Sequence, residues 1–424
     1  MNISRNQLLF SFSEALDYVD SLVGSHHYDT AYITLHILKE MNYSNDDIQK
    51  IVTAALIHDI GVFSKSNFSH LRSYEFEDQS FHSETGYFLL NKVKYYSDFA
   101  EMILYHHTHY GKNMNANIPL PSHIIFLADR LSILIDKNPD NLIEHKQQLL
   151  SIISRDMGNK FHPHLMPFFE NMLNSKVFWS NLENHKEVVK SSFEYDTHIT
   201  TYEELKNFIV LFEKITDYKS KFTAAHSLGV SKIAFELGKQ LYLPQNTLNN
   251  LEIAGMVHDI GKLAIDDRIL EKPASLTTEE FEAMKSHVTY SYNILSNVNG
   301  LEKIAKFACS HHERHDGSGY PHGKVLKDLS IEEQILIISD IFTALTENRP
   351  YRKSMKKDAV LALLNDMAQD HKISVPITKV LIRNINYLYD LNSKVQKEAY
   401  REYNTFNDQV IQLHSLNKSF THSN

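Results

Sequence analysis

The sequence predicts an all-α protein made of two tandem helical domains, and three observations support this prediction. Apolar residues recur at helical spacing over most of the chain, whereas the strict alternation that marks a strand is rare. Glycine, which weakens helices, occurs only 13 times, so few positions interrupt them. The chain has 424 residues, more than one domain usually holds, and its 42% hydrophobic residues suffice for two cores.

The same series of histidines and aspartates occurs twice along the chain. The first series is His26, His58, Asp59, His82, His106, His107 and Asp129, and the second is His226, His258, Asp259, His287, His311, His312 and Asp340. The offset between the copies grows from 200 through 205 to 211, as lengthened loops would cause. We therefore predict domains at residues 1–190 and 191–424, with the boundary inside 174–201, where polar residues interrupt the apolar periodicity.

Helices are predicted on both sides of the second His-Asp pair. Residues 251–257 are apolar at helical spacing, so His258 and Asp259 should lie near the end of a core helix. Gly261 could end that helix with a left-handed cap. Thr277 and Glu280 have the spacing of a capping box and should begin the helix that presents His287.

Further elements follow in the second half of the chain. The apolar segment 301–310 ends at the His311-His312 pair, and residues 335–344 carry the single acid Asp340. A carboxylate on an apolar helix is costly to bury unless a cation compensates its charge. Turn-forming residues at 317–321 directly follow the His pair, which places a loop at the site. Residues 378–413 should form one or two long helices before a disordered polar tail at 415–424.

Both series consist of residue types that bind first-row divalent metals, and an aspartate can bridge two ions. A single histidine is more often a core or surface residue than a ligand. The ordered combination of a lone His, a His-Asp pair, a further His, a His pair and a lone acid favours a metal site. Metal-assisted hydrolysis is the chemistry that such a site suggests.

Residues 226–353 resemble the HD-GYP family of cyclic dinucleotide phosphodiesterases. The resemblance rests on the runs 258–262 (His-Asp-Ile-Gly-Lys), 311–321 and 349–352 (Arg-Pro-Tyr-Arg), together with His287 and Asp340. It implies a second domain of the HD-GYP type in which the seven residues of the second series hold the metals and Asp259 bridges them. Family members with a third metal carry a glutamate where this chain has Phe222, so the resemblance implies two divalent ions. Iron or manganese is favoured, with magnesium, nickel or calcium as alternatives.

The resemblance also implies roles in catalysis and substrate binding. In a two-metal site a bridging hydroxide attacks phosphorus in line. Asp259 and Lys262 would be the catalytic residues, with Lys262 on the scissile phosphate. Arg349 and Arg352 would supply forked donors to phosphate oxygens. The remaining substrate contacts would be Asp316 and Tyr320.

The first copy keeps the metal ligands but lacks the substrate contacts. Val62 stands where the second copy has Lys262, and Thr108 stands where it has Glu313. Residues 138–141 (Asn-Pro-Asp-Asn) occupy the place of the two arginines. We therefore expect a structural or regulatory role for the first copy. Its histidines could hold a metal or could be vestigial core residues, and His27 could take the place of His26.

The tandem arrangement is similar to that of the Vibrio-type enzymes that hydrolyse 3′,3′-cyclic GMP-AMP, which favours this substrate over the family's usual cyclic di-GMP. Two other functions are a non-catalytic cyclic dinucleotide-binding or partner-interaction module and an HD nucleotidase for another phosphorylated nucleotide. The retained Lys262 and arginines favour the enzyme over the binding module. The loop ending in Gly319-Tyr320-Pro321 is unnecessary for a nucleotidase.

Composition limits the partners and the compartment. The net charge of -9 provides no general attraction for a nucleic acid polymer or an anionic membrane, and no apolar run approaches the length of a membrane span. Acidic residues interrupt the N-terminal apolar pattern, so residues 1–24 predict an amphipathic helix rather than a signal peptide. The single Cys309 fits a reducing, cytoplasmic location. The long C-terminal helix could mediate a homodimer or cover its own domain.

Overall fold

The computed structural model describes residues 2–20, 24–62, 80–112, 117–194, 196–219, 225–347 and 353–421. In these ranges the helices are joined by turns and loops, and the one sheet is a two-stranded antiparallel ribbon in which β1 (Ile3–Ser4) pairs with β2 (His198–Ile199). The predicted all-α class is confirmed. None of the helices in the described ranges is both long enough and apolar enough to cross a membrane.

The described residues form two compact units. The first-copy unit contains residues 12–62, 80–197 and 408–421, and the second-copy unit contains residues 2–11 and 198–407. The change of unit between Thr197 and His198 lies within the stretch 174–201, where the sequence places the boundary. The two units differ from the simple division into 1–190 and 191–424 at both ends of the chain. Residues 2–11 belong to the second-copy unit, and residues 408–421 belong to the first-copy unit.

Ten helices lie in the described part of the first half of the chain. They are α1 (Arg5–Asp17), α2 (His26–Glu40), α3 (Asn45–Leu56), α4 (Ser80–Leu90), α5 (Ala100–Leu104), α6 (Leu120–Leu134), α7 (Leu142–Asp156), α8 (Met166–Asn174), α9 (Lys176–Ser180) and α10 (His185–Ser191). Short 3₁₀ helices occupy Tyr18–Asp20, Ser97–Phe99 and Pro163–Leu165. Helix α2 is buried along most of its length and packs against α3, α6 and α10, so it forms the centre of the first-copy unit.

The described part of the second half repeats this plan. It contains α11 (Tyr202–Tyr218), α12 (His226–Gln240), α13 (Gln245–Val257), α14 (Asp267–Leu270), α15 (Thr278–Ser296), α16 (Glu302–Ala308), α17 (Ile331–Thr346), α18 (Lys357–Gln369), α19 (Val375–Arg383) and α20 (Ile385–Thr421), with 3₁₀ helices at Ile260–Ala264 and Leu326–Asp328. Helix α12 packs against α13 and α17, as α2 packs against α3 and α6. Each central helix begins at the first histidine of its series.

Capping boxes fix where two site-bearing helices begin. The Thr277 hydroxyl accepts a hydrogen bond from the Glu280 N–H, and the Glu280 carboxylate accepts one from the Thr277 N–H, which confirms the predicted box at α15. Ser330 and Glu333 form the same reciprocal pair at α17. The start of each helix determines which face carries His287 and Asp340.

The prediction of a left-handed cap at Gly261 is wrong. The chain continues as a 3₁₀ helix, and Gly261 is absent from the glycines with positive φ. The glycine is needed for a different reason, because a Cβ at this position would lie 1.9 Å from the His287 carbonyl oxygen. Gly61 lies equally close to the His82 carbonyl oxygen in the first copy, at 2.0 Å. In both copies the missing side chain lets the turn after the His-Asp pair approach the next ligand-bearing helix.

The prediction of a disordered tail at 415–424 is wrong for residues 415–421, which continue α20. His414 and Asn417 donate hydrogen bonds of 2.8 and 2.7 Å to the carboxylate of Glu84, which is buried. These bonds satisfy a buried charge and attach the end of the helix to the first-copy unit. Residues 422–424 lie outside the described ranges.

Candidate metal centre

The second series converges on the carboxylate of Asp259. Oδ2 of Asp259 lies 3.1 Å from His258 Nε2 and 3.7 Å from His226 Nε2. Oδ1 lies 3.4 Å from His287 Nε2 and 3.7 Å from His311 Nε2. Each oxygen of one carboxylate therefore faces its own pair of imidazoles, which is the arrangement that a bridging aspartate requires.

Asp340 and His312 complete the centre. Oδ1 of Asp340 lies 3.2 Å from His226 Nε2, and its Oδ2 lies 3.9 Å from His312 Nδ1. His312 also groups with His287 and His311 at distances suited to a shared ion. The structure thus brings together all seven predicted ligands of the second copy.

The donor atoms fit a pair of divalent ions. Imidazole and carboxylate ligands would bind a divalent ion at about 2.0–2.2 Å, so the ligand atoms of one ion lie close to one another. The contacts around Asp259 span 3.1 to 3.7 Å. Among the described residues, His258 Nε2 and Asp259 Oδ1 are buried polar atoms without a hydrogen-bond partner. Cations bound at these two atoms would offset the cost of burying their lone pairs.

Three ligand histidines are oriented by the helix turn that precedes each of them. The Nδ1–H groups of His258, His287 and His311 donate to backbone carbonyl oxygens three residues earlier. The acceptors are Gly255, Met284 and Ala308, at 2.9, 2.6 and 2.6 Å respectively. A carbonyl oxygen can only accept, so Nδ1 carries the hydrogen and Nε2 presents its lone pair to the centre.

Burial keeps three of the imidazoles neutral. It lowers the pKa of His287 to about 4 and that of His311 to about 3, and it lowers the pKa of His312 well below its usual value. Burial opposes ionisation of Asp259 as well, yet the adjacent His258 and Lys262 hold the pKa of this carboxyl well below its usual range. Neutral imidazoles beside a charged carboxylate are the protonation states in which these side chains bind metal.

His226 has a different partner, which the sequence analysis missed. Its Nδ1–H donates to Oε2 of the buried Glu347 at 3.2 Å. Burial lowers the pKa of His226, but hydrogen bonds with Asp340 and Glu347 outweigh it and raise the pKa to about 9. A carboxylate on the far ring nitrogen makes an imidazole a stronger metal ligand. The available signal was an acid directly after the apolar helix α17.

Ser291 and Lys219 hold the turn after the His-Asp pair, and the sequence analysis missed both. The Ser291 hydroxyl accepts from the Gly261 N–H and donates to the His258 carbonyl oxygen, both at 2.9 Å. Lys219 donates to the carbonyl oxygens of Lys262, Leu263 and Ile265 at 3.1, 2.9 and 2.8 Å. These bonds fix the backbone that positions His258 and Asp259.

The predicted catalytic lysine lies at the edge of the centre. Lys262 Nζ donates to Asp259 Oδ2 at 2.5 Å, and its side chain is largely buried. The ring of Tyr320 lies against that of His312, with centroids 4.7 Å apart. Both side chains are thus close enough to the metal ligands to contact a bound substrate.

Of the other predicted substrate contacts, only Asp316 lies in the described part of the chain. Asp316 is exposed and accepts hydrogen bonds from the backbone N–H and the hydroxyl of Ser318 at 3.0 and 2.6 Å, so it stabilises its own loop. Arg349 and Arg352 lie outside the described residues, as does Phe222.

Glu313 anchors the loop that follows the His pair. This fully buried carboxylate accepts hydrogen bonds from the backbone N–H groups of His322 and Lys324 at 2.8 and 2.9 Å. The Tyr320 N–H donates to the His312 carbonyl oxygen at 3.2 Å. The predicted position of this loop at the centre is confirmed. The first copy has Thr108 in place of Glu313 and so lacks the carboxylate that accepts these bonds.

The first series converges in the same way. His26 Nε2 lies 3.2 Å from His58 Nε2 and 3.3 Å from Asp129 Oδ1. The Asp59 carboxylate is again central. Its Oδ2 lies 3.6 Å from His26 Nε2 and 3.4 Å from His58 Nε2. Its Oδ1 lies 3.2 Å from His82 Nε2 and 3.5 Å from His106 Nε2. His107 belongs to the same group.

The structure also decides between His26 and His27. The backbone N–H and the ring Nδ1–H of His27 donate to Asp17 Oδ1 at 3.1 and 2.6 Å. This aspartate on α1 holds the His27 ring, whereas the neighbouring His26 ring contacts the other ligands. His26 is therefore the member of the first centre.

A buried arginine distinguishes the first centre from the second. Arg130 donates from Nε and Nη2 to Asp129 Oδ2 at 3.0 and 2.7 Å, and its side chain is 1% exposed. The second copy has Ile341 at this position. Ser132, rather than a glutamate, lies 3.0 Å from His26 Nδ1. The sequence analysis missed this cation, although an arginine directly after Asp129 in an apolar helix was a visible signal.

Comparison with known proteins agrees with the two centres. HD-domain family profiles match residues 23–134 and 169–373. The chain is 30% identical over 405 residues to the 3′3′-cGAMP-specific phosphodiesterase 1 of Vibrio cholerae, covering 92% of this chain and 94% of that protein. The chain belongs to the HD-GYP family.

Other members of the HD-GYP family match shorter parts of the chain. The 3′3′-cGAMP-specific phosphodiesterase 3 of Vibrio cholerae is 32% identical over 253 residues, 59% of this chain and 54% of that protein. The cyclic di-GMP phosphodiesterase of Thermotoga maritima is 36% identical over 156 residues, 36% and 42% of the two chains. A crystal structure of the cyclic GMP-AMP specific phosphodiesterase V-cGAP3 of V. cholerae has a TM-score of 0.63 at 22% identity, covering 91% of this chain and 98% of that one, and shows the shared fold.

Proposed function

We propose that the second copy hydrolyses a cyclic dinucleotide to the linear dinucleotide, with 3′,3′-cyclic GMP-AMP as the favoured substrate and cyclic di-GMP as the other candidate. The observation that carries this proposal is the Asp259 carboxylate, each of whose oxygens faces a separate pair of imidazoles. The relative that matches over almost its full length is named for cyclic GMP-AMP, which supports the mixed dinucleotide.

Each group in the proposed site has a distinct task. Two divalent ions, when bound, would supply the nucleophile and neutralise the charge that develops on the phosphate. The histidine and carboxylate ligands suit iron or manganese. Asp259 joins the two halves of the centre, and Glu347 orients His226 through the far side of its ring. Arg349 and Arg352 are proposed as phosphate contacts from the sequence alone.

The substrate is tested by incubating the purified, metal-loaded protein with 3′,3′-cyclic GMP-AMP, cyclic di-GMP and cyclic di-AMP separately. Mass spectrometry should detect the linear dinucleotide, formed fastest from the mixed substrate. Faster hydrolysis of cyclic di-GMP would contradict the substrate preference alone. Tight binding without any product would contradict the enzymatic function and support a binding module.

Lys262→Ala should lower turnover about 10²–10³-fold while the second copy keeps its metals, as expected for loss of one charge-stabilising group. The Lys262 ammonium group is a donor to Asp259 and has no lone pair for a metal, so its removal leaves all seven proposed ligands in place. Steady-state kinetics and elemental analysis measure the two effects on the same preparation. Lys239→Ala, at an exposed lysine, is the control. Loss of metal from Lys262→Ala would contradict the proposed phosphate contact.

We expect two ions in the second copy, because Phe222 stands where a third-metal ligand would be needed. Elemental analysis of the full-length His58→Ala/Asp59→Ala variant should give two ions per chain, since only the second centre is then intact. Three ions in this variant would be inconsistent with a dinuclear site. The difference from the wild-type chain measures how much metal the first copy holds.

A further inference from the structure

Three side chains form an aromatic corner beside the second metal centre. The Tyr320 ring lies 4.7 Å from that of the ligand His312, with an angle of 32° between the rings. The Phe281 ring lies 6.2 Å from the Tyr320 ring and nearly perpendicular to it, at 83°. Phe281 is 44% exposed, so its ring is accessible from solvent. The rings thus lead outward from a metal ligand to the surface.

A lysine occupies this corner. Lys285 Nζ lies 5.0 Å from the Phe281 ring centroid and 5.7 Å from the Tyr320 ring centroid. Both Phe281 and Lys285 belong to α15, one turn apart, on the helix that carries His287. Lys285 also contacts Glu282 at 2.6 Å, but that carboxylate is 62% exposed, so water and salt weaken the ion pair. The ammonium group thus lies beside both rings and beside Glu282.

We infer that Phe281, Tyr320 and Lys285 form the subsite for one nucleobase of the substrate, an inference that rests on the proposed function. Nucleobases stack on aromatic side chains, and this stacking is worth about 1–3 kcal/mol per base. A base that is joined through its ribose to a phosphate at the metals would lie along the row from His312 through Tyr320 to Phe281. Of the other proposed contacts in the described part of the chain, Lys262 and Asp316 have no ring on which a base could stack.

The chemistry of the lysine selects between bases. An ammonium group is only a donor, and guanine presents two acceptors, O6 and N7, on one edge. Adenine presents an amino donor beside N7, which repels an ammonium group. The subsite should therefore take the guanine half of the mixed dinucleotide. At the offset of 205 that relates His82 to His287, the first copy has Ser80 in place of Lys285, consistent with its loss of substrate contacts.

Fluorescence tests the stacking directly. Phe281→Trp places an indole in the corner, and the native Trp179 is the single other tryptophan in the sequence. A slowly hydrolysed phosphorothioate analogue of cyclic di-GMP should quench the added emission, measured as the difference from wild type. Tyr292→Trp is the matched control, because Tyr292 lies on the same helix, is 48% exposed and is about 16 Å further along the axis. Equal responses of the two variants would overturn the subsite.

Steady-state kinetics tests how much Phe281 and Lys285 contribute to substrate binding. Phe281→Ala should raise KM for cyclic GMP-AMP about 5- to 150-fold, the range that corresponds to loss of one stacked base, and KM should change much more than kcat. Phe281→Tyr should restore most of the affinity, and Tyr292→Ala should behave as wild type. Lys285→Ala should reduce the preference for cyclic di-GMP over cyclic di-AMP.

The outcomes separate this inference from the function on which it rests. If the wild-type protein hydrolyses no cyclic dinucleotide, the proposed function fails and the subsite fails with it. If the wild-type protein is active but Phe281→Ala leaves KM unchanged, the subsite alone is wrong. A fall in kcat together with loss of metal from Phe281→Ala would instead assign the ring to support of the metal centre, and would also overturn the inference.

Discussion

Replacing Asp259 by alanine should reduce turnover by more than about 10³-fold, beyond the loss expected for one charged donor. The reason is that one carboxylate serves both halves of the centre, with His226 and His258 on Oδ2 and with His287 and His311 on Oδ1. Its removal should disperse both sets of ligands at once. Metal content, measured by elemental analysis, should fall together with the rate.

A conservative variant of Asp259 and a control variant at an exposed acid complete this test. Asp259→Asn keeps the size and one carbonyl oxygen, so it should hold less metal than wild type but should fold normally. Asp366→Asn, at an exposed acid on α18, should change neither the rate nor the metal content. A near-normal rate for Asp259→Ala would show that catalysis takes place elsewhere in the chain.

Paired alanine substitutions in the two copies should have opposite results. His258→Ala/Asp259→Ala should be inactive, whereas His58→Ala/Asp59→Ala should retain turnover within about tenfold. The first copy has Val62, Asn138 and Asn141 where the second copy has cationic side chains, so it lacks groups that stabilise the charge of the transition state. Arg130 does not replace them, because it is fully buried and donates to Asp129.

Circular dichroism and thermal denaturation of both double variants distinguish loss of chemistry from loss of folding. The first-copy variant removes buried polar groups and should unfold at a different temperature without losing the second centre. A change in KM would indicate a regulatory effect of the first copy on the second. If the folded first-copy variant were as inactive as the second-copy variant, the proposed division between the copies would be wrong.

The sequence by itself determined the helical class, the duplication and the two series of candidate metal ligands. These features depend on signals that a linear chain carries, such as apolar periodicity, the order of ligand types and the spacing of Thr277 and Glu280 in a capping box. A helix also imposes its own local geometry. The carbonyl group three residues before a histidine accepts its Nδ1–H, as at His58, His258, His287 and His311, so the orientation of these rings follows from the helix turns that carry them.

Only the tertiary structure decided which distant groups meet these local elements. Asp17 accepts a hydrogen bond from the His27 ring, which leaves His26 as the member of the first centre. The equivalent histidines His226 and His26 have different partners on Nδ1, which are Glu347 and Ser132 respectively. Gly261 is required by the approach of α15, which no local turn pattern contains. Such pairings depend on how separate helices pack against one another. Ligand identity can therefore be predicted from residue types, whereas the charge around each centre is decided by which buried side chains the fold brings into contact.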